Sequence, residues 1–169
     1  MLRRLRENGP VVLVPLAWTF ATAAHLDLLA LRTVLIAHMV MDAIIAAFTV
    51  LSWREMTDGV LLVWRRVLVA GLGVTLVGTV ALLAEPPVEP LLSATVVGWM
   101  LVPAAGLVAT GQRIDRRPRA YTLGGALSAV GAVSYVGGVS GAVSALVLTG
   151  LTMANVGQTA GIVAAVYDY

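Results

Sequence analysis

His38 and Asp42 stand four residues apart in the stretch LIAHMVMDAII, where every other side chain is apolar. In a helix that spacing puts both on one face. Imidazole titrates near neutrality and can take up and return a proton, and a neighbouring carboxylate can receive it. A carboxylate at mid-bilayer costs about 2.5–3.5 kcal/mol on insertion scales, so it must find a partner or stay neutral. The pair is therefore a candidate ion or proton path, with Asp42 as the protonatable centre and His38 as its relay. The competing reading is a buried carboxyl satisfied by His38, Thr33, Thr49 or the amides of the sixth helix, which serves only to fix packing.

The second histidine of the chain is His25. With an outer turn near Leu31 and Arg32, His25 and His38 each lie six to seven residues from that turn. Both then fall about 10 Å below it on two antiparallel helices, at 1.5 Å per residue. Two imidazoles facing each other at one depth are candidate haem ligands, or they share a transition metal with Asp42. That chemistry requires the first helix to continue past His25. If it stops there, His25 and Asp27 become an outer-loop pair and the haem reading falls. The cofactor, if any, is unknown from sequence.

A third polar group occupies the C-terminal apolar run: Thr149, Thr152, Asn155, Gln158 and Thr159. Thr152, Asn155 and Thr159 share a face. An amide at that depth must be hydrogen-bonded or costs several kcal/mol. Asn155 and Gln158 are thus candidates for lining the path that Asp42 would serve, or are polar glue between helices.

These residues need a scaffold, and composition says which kind. Of 169 residues, 59% are hydrophobic and 12% charged. Soluble domains carry roughly 25% charged residues, so the expected class is an integral membrane protein lodged in a lipid bilayer. Cysteine is absent, which removes disulfides, thiolate nucleophiles and Cys-held metals. Lysine is absent too, so no Schiff-base chemistry is available. No phosphate loop, HExxH or GxSxG motif occurs, and whether the chain is an enzyme stays open, leaning against. The net charge of +2 gives no reason to expect a nucleic-acid partner.

Six apolar runs are long enough to span. They cover about 11–30, 33–51, 67–84, 91–111, 120–136 and 142–166. The first follows MLRRLREN and contains Ala21-Thr22-Ala23, which resembles a signal peptide with a cleavage site. The run continues past Ala23, and it is read here as a span. With the N-terminus inside, ten of the eleven arginines fall on cytoplasmic segments and only Arg32 falls outside. That distribution obeys the positive-inside rule and predicts a multi-pass plasma-membrane protein, N-in and C-in, in one domain. Residues 53–66, with Trp53 and Trp64 near their ends, suggest an interfacial helix; otherwise the third helix starts earlier and Arg65 and Arg66 snorkel. AEPPVEP (84–90) reads as a stiff outer turn and VGGVSG (136–141) as a tight glycine turn.

Glycines seven apart recur at Gly71/Gly78, Gly124/Gly131 and Gly150/Gly157, and Gly157/Gly161 forms a GxxxG motif. Small residues at such spacing allow close helix contact, within the chain or across a homo-oligomer. Pro15 and Pro103 lie inside the first and fourth spans, where each frees a carbonyl one turn earlier. The expected fold is thus an all-α bundle of about six transmembrane helices. Its expected function is ion or proton coupling at Asp42 and His38. The alternatives are a haem- or metal-holding redox protein using His25 and His38, or a non-catalytic accessory subunit of a larger membrane complex.

Overall fold

Six α-helices carry the chain: α1 (Leu2–His25), α2 (Leu31–Ser52), α3 (Gly59–Leu83), α4 (Glu89–Gly111), α5 (Pro118–Val139) and α6 (Ala145–Asp168). The computed structural model describes the backbone of residues 2–141 and 143–168 and the side chains of 11–141 and 143–165. The side chains of Arg3, Arg4 and Arg6, and Ala142, the expected start of the sixth span, lie outside the described residues. No strand occurs among the described residues. Five helices, α2 to α6, are long and apolar enough to cross a membrane, and Val11–His25 of α1 is a shorter apolar helix. The molecule is a helical membrane bundle, as its composition requires.

The ends of the helices have local causes. α1 stops at His25, five residues before the expected end at Ala30. Asp27 turns into the left-handed region at φ 56°. Its N–H donates to the Ala24 carbonyl (3.1 Å), and the Leu28 N–H reaches back to Ala23 (3.0 Å). This pair of bonds is a Schellman closure, and it satisfies the last carbonyls of the helix with no glycine present. Pro90 and Pro118 sit in the first turns of α4 and α5, where a missing N–H costs nothing.

Of the two readings of 53–66, the earlier start of the third helix holds, and no separate interfacial helix forms. Residues 53–58 form the turn, and α3 runs unbroken from Gly59 through Arg65 and Arg66. Trp64 explains why. It packs inward against the cluster of Leu107, Tyr121 and Ala164, so only Trp53 stays at the surface. The glycine turn expected at 136–141 also moves outward in sequence. α5 keeps Gly137 and Gly138 in its last turn and ends at Val139. A Cβ on Gly138 would lie 2.6 Å from Val147, so these glycines serve helix contact rather than the turn.

Neighbours in sequence pack in order from α2 to α6, and α1 packs on α6. Space therefore reads α2–α3–α4–α5–α6–α1, with α4 also touching α6. Short connections make the sequential pairs antiparallel, which brings the arginine-bearing turns 53–58 and 112–117 to one end. The tightest pair is α5–α6. There Gly124, Gly131 and Gly138 face Gly157, Gly150 and Val147 in register. Gly161 meets Leu107 of α4, so the GxxxG pair is used within the chain. Trp18, Met100, Ala132, Tyr135, Leu151 and Ala154 form the core beside this pair.

One expectation about position fails. The hairpin of α1 and α2 is not a packed unit. α1 lies on α6 and α2 on α3, so the five-residue turn between them joins two helices that settle on different neighbours. Trp18 of α1 is instead bonded to Gln158 of α6.

Candidate functional site

α2 touches the protein along one stripe. Its buried residues Ile45, Thr49 and Ser52 are spaced four and three apart. Continued backward at the same spacing, the stripe passes through Asp42 and His38, which are both half-buried. Four of these five side chains are polar. Only 11% of the apolar stretch of α2 is buried in the protein, against a third or more in α3 to α6. The one protein-facing side of α2 is thus its polar side.

Asp42 lies at the midpoint of α2 and meets α3. The Thr79 hydroxyl donates to Asp42 Oδ2 at 2.7 Å. The other oxygen, Oδ1, is buried and has no hydrogen-bond partner among the described residues. Further along the stripe the buried Ser52 hydroxyl likewise has none. Thr49 returns its hydroxyl to the Ile45 carbonyl at 2.7 Å. Buried polar groups without partners are rare, because each costs about 1–3 kcal/mol. Both found here lie on the α2 stripe.

His38 stands one turn nearer the start of α2. Its Nδ1 lies 3.1 Å from the Val34 carbonyl. A carbonyl only accepts, so Nδ1 carries a proton, and in that neutral tautomer the Nε2 lone pair is left free. Gly78 of α3 makes room for that edge. A Cβ there would lie 3.1 Å from His38 Nε2 and 2.8 Å from the Thr95 methyl of α4. His38 and Asp42 share one face of α2, as their spacing predicts, but that face meets α3 rather than α1, and the direct partner of Asp42 is Thr79.

A Thr79→Val substitution keeps the shape and leaves both Asp42 oxygens without a donor. We expect it to destabilise the bundle by about 1–3 kcal/mol, with Thr79→Ser near wild type. Thermal unfolding followed by circular dichroism measures both.

The structure does not bring the other candidate residues to this seam. His25, at the end of α1, packs edge-on against Tyr135 of α5, with ring centroids 5.5 Å apart. Its Nδ1 donates to the Ala21 carbonyl at 2.8 Å, and in that neutral tautomer Nε2 accepts the Tyr135 hydroxyl at 2.9 Å. Ser93 of α4 hydrogen-bonds the same tyrosine. The two histidines thus have separate partners on separate helices. Among the described residues no three His, Asp or Glu side chains converge on a point that could hold a metal. The facing-histidine geometry behind the haem reading also requires α1 to continue past His25, and it does not.

Gln158 is buried and fully engaged far from α2. Trp18 of α1 donates its indole N–H to Gln158 Oε1 (3.0 Å), and Gln158 Nε2 donates to the Trp99 carbonyl (2.9 Å) and to Ser128 of α5 (3.0 Å). The Trp99 carbonyl is available because Pro103, four residues on, has no N–H to offer it. Trp99 in turn donates its indole N–H to Thr75 of α3 at 3.0 Å. Five helices are joined in this way, and α2 is left out. Asn155 accepts the Thr159 hydroxyl at 3.1 Å within α6. Of the two helix 6 amides, Gln158 joins helices, while the Asn155 bond stays within α6.

No family model, no curated protein and no solved structure matches this chain.

Proposed function

We propose that the chain is a small ion- or proton-coupled membrane protein whose working site is the α2–α3 seam. The observation that supports it is the buried, unpartnered Oδ1 of Asp42 beside a carboxylate oxygen already held by Thr79. A proton or a small cation supplies what that oxygen lacks. His38, one turn away with its Nε2 lone pair turned toward Gly78, would exchange a proton with Asp42 through a bridging water. α2 rests on α3 alone among its extensive neighbours, so the seam can loosen without opening the five-helix core.

The arginine-bearing turns and the N-terminal arginines would face the cytoplasm, with both termini inside and the chain in the plasma membrane. Reconstitution in liposomes tests the function. Asp42→Asn keeps an acceptor for Thr79 but cannot ionise, and we expect gradient-driven flux to fall to background with the folded yield unchanged. Wild-type flux in that variant would sink the reading.

A second reading, an accessory subunit or homo-oligomer that assembles through α2, draws on the small buried share of that helix. In that case the wild-type protein would run in detergent as a complex heavier than one chain, Val40→Arg on the exposed face of α2 would lower that mass, and there would be no flux to lose.

A further inference from the structure

We infer that the groove between the end of α2 and the first turns of α3 is a binding site for the phosphate headgroup of an anionic phospholipid. It stands on residues that the proposed path does not use. Trp53, Arg65, Arg66, Val69 and Ala70 line an open groove of about 350 Å³. Arg65 lies with its guanidinium 4.6 Å above the centroid of the Trp53 ring, and it donates to the Trp53 carbonyl at 3.5 Å. Stacking on the indole fixes the plane of the guanidinium fork and leaves the rest of its N–H groups pointing elsewhere. Arg66, next in the chain, is exposed.

Depth identifies the anion. Arg65 is the seventh residue of α3, about 9 Å along the helix from its start. With α3 across the bilayer, two guanidinium groups at that level beside a tryptophan would stand where lipid headgroups meet acyl chains. Guanidinium forks match the oxygens of a phosphate. The remaining lining, Val69 and Ala70, is apolar and continues along α3 toward the bilayer interior, where it offers a track for an acyl chain. Free phosphate would use the arginines and gain nothing from that track.

Native mass spectrometry on the full chain, released from nanodiscs of equal phosphatidylglycerol and phosphatidylcholine, tests the site. We expect phosphatidylglycerol to be retained in preference by about 25-fold, since each arginine near a membrane surface contributes roughly a factor of five. The preference should collapse in Arg65→Gln/Arg66→Gln and persist in Arg113→Gln/Arg116→Gln, which removes the same charge from the other turn. Equal retention of the two lipids by the wild-type protein overturns the proposal with no variant needed. Unchanged preference in Arg65→Gln/Arg66→Gln overturns it too. A thermal shift with inorganic phosphate as large as that with phosphatidylglycerol would assign the arginines to free phosphate instead.

Discussion

Gly150→Ala is expected to cost about 3 kcal/mol, and Gly150→Leu to leave no folded bundle. A Cβ on Gly150 would lie 2.5 Å from the Gly131 carbonyl oxygen and 2.7 Å from the Tyr135 backbone nitrogen. Both obstacles are backbone of α5, which no rotamer change can move aside. The helices must separate, and dispersion contacts along the whole pair weaken together. Overpacking in a tight core costs about 1–3 kcal/mol, and this site lies at the upper end because neither neighbour can give. Gly73→Ala is the matched control. Nothing lies within 4 Å of its added methyl, and alanine is favoured over glycine inside a helix by about 0.5–1 kcal/mol. The same change of one methyl should therefore be neutral or stabilising on α3 and strongly destabilising on α6. Unfolding in detergent, followed by circular dichroism, reads both signs. Equal effects at the two positions would mean that α5 and α6 are not in this close register.

The physics that made the helices legible is the bilayer's demand for apolar length. α2, α4 and α6 were placed to within a few residues on that ground alone. α1 was not, because a Schellman closure on an aspartate leaves no glycine to read, and the apolar run simply continues through Leu28 and Leu29. The glycine spacings pointed to close contact but not to its partner. That α5 and α6 are matched at Gly131 and Gly150 is a fact about register. Neighbour choice was the larger gap. Counting residues from the turn put His25 and His38 at one depth, and the inference that they meet assumed that a short turn implies a packed pair. α1 prefers α6, where Trp18 finds the Gln158 carbonyl oxygen.

Within the site, the shared face of His38 and Asp42 was readable from spacing, while Thr79 was not. With the start of α3 left open between two readings, and with spacing informative only along one helix, nothing says which threonine of α3 lies level with Asp42. The pairing of Pro103 with Gln158 had half a signal. A proline frees a carbonyl four residues back, and a deep amide needs an acceptor, but only the structure joins the two.

That pairing carries the last prediction. Gln158→Leu should destabilise the bundle by about 3 kcal/mol. It strands the indole N–H of Trp18 and the carbonyl of Trp99, each a buried group whose lost partner costs about 1–2 kcal/mol. Measured side-chain hydrogen bonds in membrane bundles average only about 0.6 kcal/mol, but those bonds leave alternatives open, and the Trp99 carbonyl has none inside α4. Pro103→Ala restores an N–H to that carbonyl. In its background the cost of Gln158→Leu should therefore shrink by about 1 kcal/mol, a coupling that a double-mutant cycle measures directly. Zero coupling would mean that the amide does not serve the proline gap. The same variants separate core from seam. The Gln158 network ties α1, α3, α4, α5 and α6 and omits α2, whose polar stripe meets α3 alone. Gln158→Leu should accordingly lower stability with flux per folded molecule unchanged, and Asp42→Asn should do the reverse. If Gln158→Leu instead removed flux at full stability, the path would run through the core, and Asp42 would be its neighbour rather than its centre.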